Sequence, residues 1–307
     1  MIIVSNNLLS VLLMASTATK ANFDPFIVAS GLGAIAYAGI CLALYQYQSK
    51  LIFRPLPTFI GTPADVGIPY EDVWIPLSPV GSRQSNEKLH GWWLPNPRSD
   101  RTLLMCHGNY GNISYNLERI RFHYSLGFSV FAFDYRGYGQ SSGPEPTELN
   151  TYADAEAAWQ YLITQRQSKP SEITVMGHSM GGAIAIHLAA QHPDMAHLIV
   201  KSSFTSMQAA VEARSLYRLF PIKQLLAHPF DSLSKVSSLK VPVLYVHGDQ
   251  DPDLPPEMSQ QLYEASPEPK QLWYAAGAHH NNIHSAAGNG YARVVQAFCT
   301  PRQLQSA

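Results

Sequence analysis

The sequence predicts an α/β domain, a mostly parallel sheet with helices on both faces. Three observations carry that prediction. From about Arg101 onward, short apolar runs alternate with stretches of helical period. The runs are apolar throughout instead of alternating with polar residues, as expected for strands covered on both sides. One of them, Ile173 to Met176, opens straight into Gly177-His178-Ser179-Met180-Gly181 and then into a run of small residues suited to a closely packed helix. At 307 residues the chain can form one large domain with a proper core, or two small ones.

Composition narrows the classes. Hydrophobic residues make up 46% and charged ones 14%, which argues against long disordered tails and is compatible with membrane contact. The formal net charge is −1 with no basic block, so nothing points to nucleic acid. Cys41, Cys106 and Cys299 are far apart and lack metal-ligand spacing, so neither a disulfide framework nor a compartment follows from them. No internal repeat is visible.

Taken in order, residues 1–47 form an N-terminal segment. Within it Leu8, Leu9, Val11, Leu12 and Leu13 resemble a signal-peptide core, but no basic residue precedes them. The stronger signal is residues 26–45, which carry no charge and at about 1.5 Å per residue just cross a hydrocarbon core of roughly 30 Å. Tyr37, Tyr45 and Tyr47 suit an interface, and Lys50 and Arg54 follow the span. The competing reading is a buried helix of the globular domain. The N-terminal position and basic flank favour a single membrane anchor, and Lys50 and Arg54 lean toward a cytoplasmic catalytic domain against the opposing Lys20. Residues 48–70 are proline-rich and predict an extended linker, with residues 71–307 as the catalytic domain.

That domain opens with strands over 72–77 and 89–94, antiparallel, with Gly81-Ser82-Arg83 in the turn. Further strands are predicted at 102–106, 129–133, 173–176, 197–200, 241–246 and 271–274, with helices at 112–124 and 150–165. Ala153, Ala157, Trp159 and Leu162 fall on the helical period of the second helix. Residues 204–240 are too long for a plain connection and carry Met207, Leu216, Leu219, Ile222 and Phe230. They predict a small lid with an apolar inner face, part of which is ordinary helix core.

The chemistry centres on Ser179. A serine on a sharp strand-to-helix turn projects its hydroxyl clear of the sheet, and glycines two before and two after it remove Cβ atoms that would collide. The helix start aims free N–H groups at any oxyanion formed beside the serine. Gly-x-Ser-x-Gly also occurs by chance, so the context matters. His107-Gly108-Asn109 follows a buried strand, where the Asn109 and Met180 N–H groups can face one point as an oxyanion hole, with His107 bracing the loop. Asp134-Tyr135-Arg136-Gly137-Tyr138-Gly139 lacks a following helix and so is no phosphate fingerprint; it is expected to brace loops. Asp249, Asp251 and Asp253 follow another strand, and one of them suits the Nδ1 proton of a histidine, the others being loop formers. His279 and His280 lie after the last strand, and only one of the adjacent pair is expected to point inward. The chain order serine, acid, histidine is the informative part.

Gly-His-Ser-Met-Gly-Gly, His-Gly-Asn-x-Gly-Asn-Ile-Ser, Phe-Asp-Tyr-Arg-Gly-Tyr-Gly-x-Ser and His-Gly-x-x-Asp together resemble the α/β-hydrolases over residues 48–300. The closer likeness is to the membrane-anchored branch related to the bud-emergence-type hydrolases and the protein depalmitoylases, to which Gln48-Ser49-Lys50-Leu51-Ile52-Phe53-Arg54-Pro55 also looks similar. The resemblance implies Ser179 as nucleophile, Asp251 as acid and His280 as base. Asn282 stands where many relatives have an aspartate and Tyr110 replaces a common alanine. The expected activity is two-step acyl transfer from an ester or thioester, needing no cofactor or metal. Expected partners are the membrane and an S-acylated protein or lipid ester. The competing readings are a prolyl-aminopeptidase-like peptidase, which needs an acidic patch that only Glu212 and Asp231 could supply, and a catalytically silent membrane-tethered binding module.

Overall fold

A computed structural model describes residues 25–77 and 86–300. The apolar stretch at Leu8 to Leu13 and the Gly81-Ser82-Arg83 turn lie outside the described residues. By internal contacts the chain divides into Met1–Leu44 and Tyr45–Ala307, so the second unit begins three residues earlier than the expected boundary at 48.

In the first unit the described residues belong to helix α1, Pro25–Ile52, which continues into the second. Ala29–Ile52 is long and apolar enough to cross a membrane. Within this unit Ile27, Leu32 and Ile35 are exposed.

The second unit is built on an eight-stranded sheet: β1 (Glu71–Pro76), β2 (Lys88–Leu94), β3 (Thr102–Cys106), β4 (Ser129–Phe133), β5 (Ile173–His178), β6 (His197–Lys201), β7 (Val243–Gly248) and β8 (Lys270–Ala275). Their order is β8-β7-β6-β5-β3-β4-β2-β1. All neighbours are parallel except β2, which runs antiparallel to both β1 and β4. Order reverses around β3, and the crevice at such a switch point, outside the carboxyl ends of the strands, is where open α/β sheets place ligands.

Alternate residues divide the core. Leu104, Cys106, Val175, Val200 and Tyr245 face one layer with the helices α3 (Glu148–Thr164), α4 (Met180–Gln191) and α5 (Glu257–Ala265). Leu103, Met105, Met176, Ile199 and Val246 face the other with α2 (Leu117–Ser125) and α6 (Gly288–Cys299). Each fully buried side chain of this size contributes roughly 1.5–3 kcal/mol; β3, β4, β5 and β7 are buried throughout, whereas the edge strand β1 alternates exposed and buried positions.

The structure departs from the sequence expectations at definable points. β5 and β7 run two residues further, to His178 and Gly248, because the ladder continues through Cys106↔Gly177 and Tyr274↔His247. β7 starts at Val243 and not 241, since Pro242 has no N–H for the ladder and gives only its carbonyl, to Leu198 N–H at 2.9 Å. The helix expected at 112–124 is split into a 3₁₀ turn, Ile113–Asn116, and α2, because the Asn112 side chain accepts from Ser114 N–H and caps the start.

The proline-rich stretch after α1 is packed into the domain. Phe53 is buried, Arg54–Pro55 pairs in parallel with Tyr110–Gly111, and Asn112 Nδ2 donates to the carbonyls of Leu56 and Thr58 at 2.8 and 2.9 Å. Pro55 and Pro57 lack donors, so this stretch is fixed by neighbours that reach its carbonyls. Between β6 and β7 lie short helical pieces, Met207–Glu212, Ser215–Leu219, Ile222–Leu225 and Leu233–Val236. Met207, Ile222 and Phe230 are buried there while Leu216 and Leu219 are exposed, so core packing accounts for only part of the apolar set.

Candidate active site

Ser179 lies between β5 and α4 with φ 54° and ψ −122°, a left-handed conformation rare for a residue with a Cβ. The turn is tight enough that a Cβ on Gly177 would run into the Gly181 backbone, and one on Gly181 into the Cys106 carbonyl. The strained residue is held on both sides: Ser179 N–H donates to the Lys201 carbonyl, and the Ser203 hydroxyl donates to the Ser179 carbonyl, each at 2.9 Å. Ser179 itself is half-buried, its hydroxyl at the sheet's carboxyl edge.

Of the three acids after β7, Asp251 faces an imidazole. His280 Nδ1–H donates to Asp251 Oδ2 at 2.7 Å, and His247 Nε2 reaches the same oxygen at 3.1 Å. Asp251 Oδ1 accepts the N–H groups of Asp253 and Leu254 at 2.9 and 3.0 Å. Three donors thus bond this solvent-inaccessible carboxylate, and His247, whose Nε2 also bonds the Leu254 carbonyl at 3.2 Å, stands against its Oδ2. Burial pushes the Asp251 carboxyl up, but the hydrogen bonds from His247 and His280, with the His280 charge and the Leu254 N–H, outweigh it and hold it well below the ordinary carboxylate range. Asp249 instead accepts Gly277 N–H at 2.7 Å, and Asp253 is exposed. His279 is exposed and bonded to the Gln250 carbonyl at 2.6 Å, leaving His280 as the buried member of the pair.

Asp251, Asp253 and His280 come within 4.8 Å of one another, close enough for a metal ion by distance alone. The fit is poor, since Asp251 has already committed both oxygens to three donors and His280 has committed Nδ1 to Asp251.

A buried guanidinium ties the histidine loop to the serine turn. Arg119, on α2, donates through Nη2 to Asn281 Oδ1 at 2.8 Å and lies 3.2 Å from His178 Nε2, while Nη1 bonds Asn116 Oδ1 at 2.5 Å. It thus links the residue after His280 to the residue before Ser179. The His178 and His280 ring centroids are 5.0 Å apart. Burial lowers the Arg119 pKa to about 10, leaving it charged at neutral pH. No hydrogen bond joins the Ser179 hydroxyl to His280 among the described residues.

The loop after β3 comes up against the same turn, since a Cβ on Gly108 would stand 3.5 Å from that of Ser179. Asn109 is fixed by its side chain to the Ile52 carbonyl at 2.7 Å and by its carbonyl to Arg54 N–H at 2.8 Å and the Tyr138 hydroxyl at 2.9 Å. Its own N–H, like that of Met180, has no acceptor among the described residues. His107 Nδ1 bonds the Gly108 carbonyl at 2.7 Å, and Arg136 pairs with Asp154 at 2.7 Å, so both brace loops. Beside Asn109 lies an open pocket of about 370 Å³ lined by Lys50, Phe53, Arg54, Leu56, Tyr110 and Pro146.

Sequence reasoning did not single out His247, Arg119 or Lys201. His247 was legible as the first residue of His-Gly-x-x-Asp, four before the acid. Lys201, an ammonium ending an otherwise apolar strand, was also visible. Arg119 gave no signal, because its partners come from three separate stretches.

Residues 101–219 match the family model described as the alpha/beta hydrolase fold. The alpha/beta hydrolase domain-containing protein WAV2 of Arabidopsis thaliana is 32% identical over 254 residues, covering 76% of this chain and 80% of that protein. The chain belongs to the α/β-hydrolase family. Within the family, protein bem46 of Schizosaccharomyces pombe is 28% identical over 303 residues, 95% of this chain and 99% of that one. Among solved structures, the Pyrococcus furiosus esterase Pf2001 superposes with a TM-score of 0.67 at 25% identity, covering 80% of this chain and 97% of the esterase.

Proposed function

We propose that this protein is a serine hydrolase that cleaves carboxylic ester or thioester bonds through an acyl-enzyme on Ser179. The observation that carries the reading is the 2.7 Å bond from His280 to a buried Asp251, with the His280 ring centroid 5.0 Å from that of His178, the residue preceding the strained serine. With Nδ1–H given to Asp251, the His280 ring presents Nε2 as a base. Nε2 takes the Ser179 proton as Oγ attacks the acyl carbon, and the N–H groups of Asn109 and Met180 receive the oxyanion. The imidazolium then protonates the departing alcohol or thiol, and water activated by the same ring releases the acid. The serine–histidine contact is one that tightens when substrate arrives. The route uses no metal or organic cofactor.

Phe53, Leu56, Tyr110 and Pro146, which share their pocket with Lys50, Arg54 and Glu145, support a lipophilic acyl group with a polar or charged end, and the apolar helix supports a membrane setting. S-acylated protein or lipid ester is the substrate class we favour. Lys50 and Arg54 on the catalytic side of the span favour a cytoplasmic domain. The peptidase reading gains nothing: Glu212 is bonded by Gln208 at 2.9 Å and Asp231 receives Ser234 N–H at 3.1 Å, so both acids serve local structure.

A fluorophosphonate probe on the full-length protein in detergent should label Ser179, and a ladder of acyl esters and thioesters should be turned over in preference to aminoacyl amides. Full esterase activity in Ser179→Ala would end the assignment.

A further inference from the structure

Beneath the serine turn lies a second cluster that the hydrolytic route does not use. Arg119 is 9% exposed and Lys201 fully buried, and among the described residues neither has a carboxylate partner. Lys201 Nζ has no hydrogen-bond acceptor, and neither do Arg119 Nε, His178 Nδ1 or the Nδ1 of the nearby His284. Arg119 bonds His178, Lys201 is the register partner of His178 across β5 and β6, and Lys201 Nζ lies 5.9 Å from the Tyr291 ring centroid; the charges of Lys201 and Arg119 both act on His178 and His284. Buried charge is ordinarily paired, and an isolated ion in low dielectric costs several kcal/mol. Four orphaned buried nitrogens without an acid form a set that lacks its acceptor.

We infer that this cluster binds a small monovalent anion of the halide class between Lys201 and Arg119. The donors are side-chain N–H groups from β6, α2, the end of β5 at His178 and the short helix Ile283–Ala286 at His284, and they reach the anion from separate elements. Burial of Lys201, His178 and Arg119 excludes a bulky or strongly hydrated anion. With the anion in place both cations remain charged. Without it, burial first and then the Arg119 charge drive the Lys201 ammonium toward the neutral amine. Because Lys201 gives its carbonyl to Ser179 N–H and Arg119 holds Asn281, the anion would stabilise the support beneath the serine and histidine. The inference does not depend on the hydrolytic reading.

The test is thermal unfolding of the full-length protein in detergent at fixed ionic strength, in gluconate, chloride, bromide or nitrate. Chloride and bromide should raise the midpoint by about 5 °C at roughly 100 times the dissociation constant. Lys201→Met and Lys201→Gln should each remove that dependence while the proteins still unfold cooperatively. Crystals grown in bromide should show anomalous density between Lys201 Nζ and Arg119 Nε. Equal midpoints in gluconate and bromide, or a halide shift that survives in both Lys201 variants, would overturn the assignment. Fluorophosphonate labelling of Ser179 in the same samples reads the esterase proposal separately.

Discussion

Two buried charges meet at the dipeptide His280-Asn281 and are treated in opposite ways. Asp251, bonded to His280, is also bonded by two backbone N–H groups and faced by a second imidazole, that of His247. Arg119, bonded to Asn281, has Nε unmatched and lies near an equally unmatched Lys201. Both are shielded from water. The acid is held entirely by its own chain, so its environment should be indifferent to solutes. The cations leave donors open, so their environment should respond to what the solvent contains. A buried carboxylate held by several donors can do one fixed chemical task, whereas an incomplete cationic set is adjustable.

The sharpest way to break this contrast is to neutralise the acid. Asp251→Asn should lower kcat/KM for a p-nitrophenyl ester by about 10⁴, as loss of the correct histidine tautomer does in a serine protease. Asp249→Asn should stay within a few-fold, because that carboxylate only receives Gly277 N–H; equal losses in the two variants would dissolve the distinction.

A smaller effect is expected on the cationic side. Arg119→Lys keeps the charge but cannot span Asn116, His178 and Asn281 together. We expect kcat to fall by about 10–100-fold with KM nearly unchanged, the signature of a displaced base, not a lost binding contact. A rise in KM at constant kcat would instead place Arg119 in substrate binding.

Next in size, His247→Phe should cost about 1.5–3 kcal/mol in urea unfolding, since it removes buried hydrogen bonds to Ser259 and the Leu254 carbonyl and an imidazole 3.1 Å from a buried charge. A loss under 0.5 kcal/mol would mean that Asp251 does not need its second imidazole.

The smallest effect is a pH slope. Burial pushes His123 down to about 3 and His178 well below its usual value; the bond from His123 to the Arg119 carbonyl opposes this, and the charges of Lys201, His284 and Arg119 reinforce it at His123. Folded-state pKa values are depressed while unfolded ones stay near 6.5, so this stability is complete above about pH 6.5 and declines as pH falls toward the folded values. Each imidazole should contribute a slope of about 1.4 kcal/mol per pH unit between pH 6 and 5. His123→Phe should flatten that slope in urea titrations, and an unchanged slope would show that His123 is protonated in the fold.

How much of this was legible depends on whether the signal was local. The central strands β3, β4, β5 and β7 were read from apolar runs because both their faces are covered and every position in them is buried. The serine turn was readable because its glycines answer a steric demand within five residues. Asp251 could not be told from Asp249 and Asp253 by residue type alone. What separates them is which carboxylate meets His280, a contact across 29 positions. The Arg119 strap joins positions 116, 119, 178 and 281, and no window of sequence holds that pattern. The stretch 48–70 was expected to be a linker because prolines mark extended chain. Its docking depends on Asn112 and Gly111, more than fifty residues away.

That docking has a practical consequence for anyone wanting a water-soluble version of the protein. The Asn109 amide is moored to the carbonyl of Ile52, and Gln48 reaches Leu225 and Ala227. Starting the chain at the first sheet strand would discard those moorings and slacken the loop that carries the Asn109 N–H. The cut belongs upstream, near Tyr45, where the apolar segment can be shed while the belt wrapped around the pocket stays whole.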